Sequence, residues 1–394
     1  MNKTTASITA SKRTGALGVS GIRQIFEKAQ TIQDVIRLEF GEPDFDTADN
    51  IKQAAVRAIA RGLTKYTPSA GVFELRKAIS EKLKRENNVF YDPLTEVVVT
   101  AGATAALNVS LLSTLDAGDE ILVPNPGWAT YVHAVQLVGA RPVMYALRES
   151  SGYSVEREDA QRIVTGRTRA ILINTPSNPI GSVFSRKQLK EISDFAIENN
   201  LFVLSDEVYE KFLYTEHGSN EEHVSIASLP EMKERTVTFN SMSKTYAMTG
   251  WRIGYAASNP AIASAMMRVN SAASSCVSTI AQYAALEALN GSQDAVRTMI
   301  STFKSRRDIM VRGLNKIRGF RCPVPRGAFY TFPNILETGL GSLDLAMKIL
   351  NEAHVATVPG SAFGSEGEGY LRIAYANSQD NIERALDRIA RVMG

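Results

Sequence analysis

The chain has 394 residues, 44% of them hydrophobic and 22% charged, with a formal net charge of +3. That is ordinary globular composition without any block of like charges, so it points away from a disordered chain and from nucleic-acid or acidic-membrane partners. Four histidines and two well-separated cysteines, Cys276 and Cys322, lie in no metal-ligand spacing; no metal is expected, and the cysteines read as free thiols of a reducing compartment.

The length exceeds that of a single core, so two domains are the default. The N-terminus is polar, free of acids up to Glu27, and lacks the apolar stretch of a secretory signal. It reads as a tail, and the protein as cytoplasmic. Further on, "EVVVT" (Glu96–Thr100), "EILVP" (Glu120–Pro124), "RAILIN" (Arg169–Asn174), "LFVLSDE" (Leu201–Glu207) and "TVTFN" (Thr236–Asn240) are apolar runs without alternation. Such runs are strands covered on both faces of a sheet. The run from Val97 to Leu115 is broken by Gly102, Asn108 and several Ser/Thr, which predicts a strand followed by a helix and not a membrane span. Arg186 to Asn199 places Leu189, Ile192, Phe195 and Ala196 at helical spacing. The alternation predicts an α/β fold whose large domain is a mostly parallel open sheet with helices on both faces.

Toward the C-terminus the pattern changes. Gln282–Leu289 and the stretch around Ser301–Ile317 read as helices, "GAFYTFP" and "YLRIAYA" as strands, and Asn381–Val392 as a closing helix capped by Ser378. This predicts a smaller α+β domain. The expected division is an N-terminal segment, residues 1–45, packing on the small domain and the cleft; a large domain, 46–284; and a small domain, 285–394.

Ligands of open α/β sheets sit at the carboxyl ends of the strands. Gly102-Ala103-Thr104, Asn178, Asp206 with Tyr209, and Ser241 through Lys244 all fall just past strand ends. "TAGATAAL" (Thr100–Leu107) opens a helix with small residues, which suits an anion as well as it suits a plain tight turn. Neither a Walker A loop nor a well-placed GxGxxG occurs. "FNSMSKTYAMTGWRIGY" (Phe239–Tyr255) holds Lys244 and Arg252 without an acid between them. Ser241, Ser243 and Arg252 could complete a phosphate cup, whose ligand would supply the missing negative charge. A lysine ordinarily titrates near about 10.4, but burial and nearby cations lower that and let it form an imine with a carbonyl. Asp206, at the end of an apolar strand, is costly unless paired, and a protonated pyridine nitrogen is one partner it could have.

The segments "GEPDFDT" (Gly41–Thr47), "KYTPSAGVFELR" (Lys65–Arg76), "NTPSNPIG" (Asn174–Gly181), "SDEVYE" (Ser205–Glu210), "SMSKTYAMTGWRIGY" (Ser241–Tyr255), "VPGSAFG" (Val358–Gly364) and "LRIAYA" (Leu371–Ala376) occur in this order. Together they give a chain that resembles the fold-type I pyridoxal-phosphate aminotransferases of class I/II, nearly end to end. The resemblance implies pyridoxal 5'-phosphate as cofactor. It implies Lys244 as the Schiff-base lysine, Asp206 facing the pyridine nitrogen, Asn178 and Tyr209 on the phenolic oxygen, and Trp128 against the ring. Gly102, Ala103, Thr104, Ser241, Ser243 and Arg252 match phosphate-binding positions. Tyr66 matches a tyrosine that reaches the neighbouring subunit's site, which implies a homodimer. Arg372 matches the clamp on the substrate α-carboxylate, with Gly41 as a backbone contact and Trp128 and Asn178 beside the substrate.

"NPIG" stands where the family often has "NPTG", a small local change at Ile180. More telling is Thr104, where aspartate-specific relatives commonly carry a lysine for the distal carboxylate; aromatic, aliphatic or alanine-like donors are left open. The expected reaction moves the amino group of an L-α-amino acid to a 2-oxo acid by a ping-pong route, with those small molecules as partners. A carbon–sulfur or β-eliminating lyase uses the same residues and is the alternative. Ser241–Lys244 also spells S-x-x-K, but a serine hydrolase of that type needs S-D-N and K-T-G downstream, which are absent. A cofactor-fold regulator would need an appended DNA-binding domain, of which the chain has no sign.

Overall fold

The computed structural model describes residues 11–15, 21–214 and 222–394. Part of the N-terminal segment, residues 1–10 and 16–20, lies outside the described residues, so its expected packing is not addressed there.

Among the described residues, twelve strands form three sheets: β1 (Ile36–Arg37), β2 (Val97–Thr100), β3 (Glu120–Asn125), β4 (Arg141–Ala146), β5 (Thr168–Asn174), β6 (Phe202–Asp206), β7 (Thr236–Ser241), β8 (Gly254–Ala257), β9 (Tyr330–Thr331), β10 (Val355–Ala356), β11 (Val358–Pro359) and β12 (Leu371–Ala374). The large sheet has seven, in the order β2-β8-β7-β6-β5-β3-β4. Strands β7, β6, β5, β3 and β4 pair in parallel, while β8 runs antiparallel to both β7 and β2. Only β8 is reversed, so the carboxyl ends of the other six strands share one edge.

The unbroken apolar runs follow from burial on two sides. Leu122, Ile171, Ile173 and Val203 pack with Leu189, Ile192 and Phe195 of the Arg186–Glu198 helix. Their neighbours Ile121, Val123, Leu172 and Leu204 pack with Leu107 and Leu111 of the Ala103–Thr114 helix on the opposite face. The Arg186–Glu198 helix starts on a capping box, in which Ser185 accepts from the Gln188 N–H and the Gln188 side chain accepts from the Ser185 N–H.

The sequence reading missed β4 and β8. Strand β4 lies at the sheet edge and is half-exposed, so its residues "RPVMYA" carry no continuous apolar run. Strand β8, "GYAA", is made of small residues because space is short: a Cβ on Gly254 would stand 2.6 Å from the Asn240 carbonyl and 2.9 Å from Gly102.

The C-terminal region has its own core. Phe303, Phe329, Leu350, Ile373, Ile382 and Ile389 pack together, joined by Ile25 and Ala29 of the Gly21–Ala29 helix. Strands β11, β12 and β9 form an antiparallel sheet there, and β1 pairs in parallel with β10. Within "GAFYTFP", Gly327 makes an antiparallel bridge to Leu213 and Tyr330 and Thr331 form β9; between them Ala328 has φ +59° and bends the chain. Ser378 caps the last helix, Gln379–Met393, by accepting from the Asn381 N–H at 3.2 Å.

Candidate functional site

A cleft of about 690 Å³ opens at the carboxyl edge of the large sheet. Ala103, Thr104, Trp128, Asn178, Asp206, Tyr209, Ser241, Ser243, Lys244, Arg252, Gly41 and Arg372 all line it. Two residues singled out from sequence do not. Gly102 and Tyr66 are not among its lining residues, and Tyr66 has 91% of its surface exposed.

At one end, strand β2 turns through Gly102 (φ +82°) into the Ala103–Thr114 helix, whose N-terminus faces the cleft. A Cβ on Gly102 would stand 2.6 Å from Nη2 of Arg252, so only glycine leaves the guanidinium its place. Arg252 itself adopts φ +53°, and its Nη1 donates to the Thr249 carbonyl at 2.8 Å. Strand β7 ends at Ser241, whose hydroxyl accepts from the Ser243 N–H at 3.1 Å and lies 2.8 Å from the Ser243 hydroxyl. Two hydroxyls, a guanidinium and a helix N-terminus thus form a cup for an anion.

At the cleft floor, Asp206 ends β6. Its Oδ2 accepts from the Tyr131 hydroxyl at 2.7 Å and its Oδ1 from the Val208 N–H at 3.2 Å. Burial nevertheless pushes its pKa up to about 6, against the Tyr131 and Val208 hydrogen bonds, which favour the carboxylate. A buried carboxylate raised this far accommodates a cation. Tyr131 was not anticipated from sequence; its place one turn past Trp128, with the rings edge-to-face at 5.5 Å, was the available signal.

Lys244 projects from the short Met242–Thr245 helix and donates to the Gly41 carbonyl. Its ammonium lies 6.0 Å from the Tyr209 ring and 5.9 Å from the Phe329 ring. Burial lowers its pKa to about 8; Glu42 works against the shift, and the Arg372 and Arg252 charges reinforce it.

Arg372, from β12, is buried. Its Nη1 donates to Asn178 Oδ1 at 3.1 Å, its Nη2 to the Glu39 carbonyl at 2.5 Å, and its Nε has no partner among the described residues. The guanidinium lies over the Tyr330 ring at 4.7 Å and the Phe363 ring at 5.0 Å. Asn178 is in turn fixed through its N–H, which donates to Asn174 Oδ1 at 2.8 Å. Tyr209 and Tyr330 meet hydroxyl to hydroxyl at 2.8 Å. Tyr330 was also missed, because its strand is too short to announce a side facing the cleft. Arg23, Phe26, Phe40 and His133 also line the cleft.

Among the described residues, no carboxylate ion-pairs with Lys244, Arg252 or Arg372. Three cations around one cleft, one with a buried orphan N–H, fit a ligand that brings its own negative charge at both ends. A phosphate in the cup and a carboxylate at Arg372 meet that requirement. With Asp206 on the floor for a ring nitrogen and a perturbed lysine between, the donor set fits pyridoxal 5'-phosphate.

A family model described as "Aminotransferase class I and II" matches residues 33–389. An aromatic-amino-acid aminotransferase of Thermococcus litoralis is 42% identical, covering 97% of this chain and 98% of that protein. An aspartate aminotransferase of Pyrococcus abyssi is 44% identical over the same shares of both chains. Among solved structures, the aspartate aminotransferase of Rhizobium meliloti superimposes with a TM-score of 0.93 at 40% identity, covering 98% of this chain and 99% of that one.

Proposed function

The chain belongs to the class I and II aminotransferases, whose members use pyridoxal 5'-phosphate, and from that premise we propose how its own residues divide the work. It is an aminotransferase, moving an amino group from an L-α-amino acid to a 2-oxo acid. Ala103, Thr104, Ser241, Ser243 and Arg252 hold the cofactor phosphate, with Gly102 making room for Arg252. Asp206 keeps the ring nitrogen protonated, and Tyr131 holds Asp206 in place. Asn178 and Tyr209 donate to the ring's phenolic oxygen, and Trp128 covers the ring. When bound, the cofactor supplies the covalent anchor at Lys244 and the electron sink for the pair left by a broken Cα–H bond.

Arg372 pairs with the substrate α-carboxylate through the face that carries its free Nε, while Asn178 and the Glu39 carbonyl fix the other side of the fork. That fixes the orientation of the Cα–H bond relative to Lys244. With a pKa of about 8, Lys244 is neutral in about one molecule in ten at pH 7, against about one in a few thousand for an ordinary lysine. Its Nζ can therefore take the Cα proton and return it, the step that a positioned base accelerates by about 10²–10⁴-fold. The uncharged Thr104 and the aromatic lining of Phe26, Phe40 and Trp128 favour aromatic or aliphatic donors over aspartate.

The reading is carried by one observation: Lys244, Arg252 and Arg372 share one cleft and none has a carboxylate partner among the described residues. Borohydride reduction of the holoenzyme followed by peptide mapping tests it, with the label expected on Lys244. A panel of amino acids with and without 2-oxoglutarate or pyruvate separates transfer from elimination. Turnover that needs no oxo acid would mean a lyase.

The domain division proposed is 1–45, 46–284 and 285–394, supported by the core around Phe303 and Phe329, which is drawn mostly from the first and last of these segments with Val208, Tyr209, Phe212 and Tyr214 from the middle one. A homodimer is supported by Tyr66. Its loop is held by Thr279, which donates to the Lys65 carbonyl at 2.7 Å, and by Asn270, which donates to the Ser69 carbonyl at 2.8 Å. A rigid loop presenting an exposed tyrosine suits delivery into a second copy's cleft. No helix among the described residues is long and apolar enough to cross a membrane. The two free thiols suit a cytoplasmic protein.

A further inference from the structure

Tyr330 touches three parts of the machinery at once. Its hydroxyl lies 2.8 Å from that of Tyr209. Its ring carries the Arg372 guanidinium at 4.7 Å. A Cβ on Gly41, whose carbonyl receives Lys244, would stand 2.5 Å from the Tyr330 hydroxyl oxygen. Tyr330 is fully buried and comes from β9, far in sequence from all three.

Two neutral phenols in contact share one proton along their line, and the other must point elsewhere. The more acidic phenol donates. Arg372 works against the upward push of burial on both phenols, but its guanidinium lies directly over the Tyr330 ring, nearer than the Lys244 ammonium lies to the Tyr209 ring, and this makes Tyr330 the more acidic of the two. Tyr330 then donates to the Tyr209 oxygen, and the Tyr209 proton is left free to point into the cleft. A hydroxyl that accepts one hydrogen bond donates the next more strongly.

We propose that Tyr330 is a positioning residue with two separable tasks: its hydroxyl aims and strengthens the Tyr209 donor toward the cofactor's phenolic oxygen, and its ring supports the Arg372 guanidinium for the substrate carboxylate. The inference rests on the assignments of Tyr209 and Arg372 above, and it adds a physical link between the cofactor side and the substrate side of the cleft. The link runs through one side chain, so a change at either side is felt at the other.

The two tasks come apart in two variants. Tyr330→Phe keeps the ring and removes the hydroxyl; Tyr330→Leu removes both. Each is prepared as holoenzyme with pyridoxal 5'-phosphate and read by the pH titration of its visible absorbance and by KM for the wild type's best amino donor. In Tyr330→Phe the absorbance pKa is expected to rise by about half a unit, with KM within about threefold of wild type. Tyr330→Leu should give the same spectral shift together with a rise in KM of about tenfold. Tyr209→Phe serves as reference and should shift the titration by more than Tyr330→Phe does. A titration that moves in Tyr209→Phe and stays unmoved in Tyr330→Phe would overturn the hydroxyl's role. Equal KM values in the two Tyr330 variants would overturn the ring's role. A wild-type protein that takes up no pyridoxal 5'-phosphate and shows no visible band would remove the cofactor assignment itself, an outcome distinct from either.

Discussion

Replacing Arg372 tests the substrate half of the cleft. The guanidinium spends Nη1 on Asn178 and Nη2 on the Glu39 carbonyl, leaving the face with the free Nε for a carboxylate. Hydrogen bonds to charged groups contribute about 1.5–3 kcal/mol each, so a two-point clamp amounts to about 3–6 kcal/mol. At about 1.4 kcal/mol per decade, Arg372→Leu should lower kcat/KM by about 10²–10⁴-fold. Arg372→Lys retains the charge and loses the fork, so it should lose about half of that free energy, or roughly 10–100-fold. Steady-state kinetics over aromatic, aliphatic and acidic donors provide the assay, with circular dichroism and the visible spectrum checking fold and cofactor content. The loss should fall on every amino acid alike, because all carry the same α-carboxylate. A loss confined to one side-chain class would refute the α-carboxylate role, and an unchanged kcat/KM would place substrate elsewhere.

Lys244→Ala should abolish the borohydride-stable adduct and lower turnover by at least about 10²–10⁴-fold while some cofactor still binds, as read by dialysis and absorbance; near-normal turnover contradicts the assignment. Arg252→Ala removes the cation of the anion cup and should weaken cofactor binding by about 10–100-fold in equilibrium titration, with unchanged affinity meaning that the phosphate lies elsewhere. The Asp206 carboxyl, raised to about 6 by burial, holds a proton in the folded cofactor-free protein that an unfolded chain releases near pH 3.8. Its contribution is therefore full below pH about 4 and is lost as pH rises through about 6. Asp206→Asn should then melt higher than the wild-type apoprotein at pH 8, by up to about 3 kcal/mol, and converge with it near pH 4; its cofactor-loaded form should turn over far more slowly. Thermal melts with no difference at pH 8 would show that the carboxylate is not penalised by burial.

Strands β2, β3, β5, β6 and β7 were legible because a strand covered on both faces must be apolar at every position, and the chain writes that pattern directly. Their common direction then places Asp206, Asn178, Ser241 and Lys244 at one edge, so this side of the cleft was readable as a set of residues past strand ends. Strands β4 and β8 were not, since an edge position tolerates polar residues and a crowded one demands small residues, and neither signature is specific.

The side around Arg372 belongs to the tertiary structure. Lys244 meets Gly41 across 203 residues, Arg372 meets Asn178 across 194 and Glu39 across 333, and Tyr209 meets Tyr330 across 121. The sequence by itself determined which side chains had the right chemistry, because residue type and local pattern are properties of a short stretch. Which of them lose their counter-ions, which carbonyl receives each cation, and that Tyr131 and Tyr330 stand behind Asp206 and Tyr209 were decided only when distant segments packed around one cleft. There a charge is fixed by its neighbours in space and not by its neighbours along the chain.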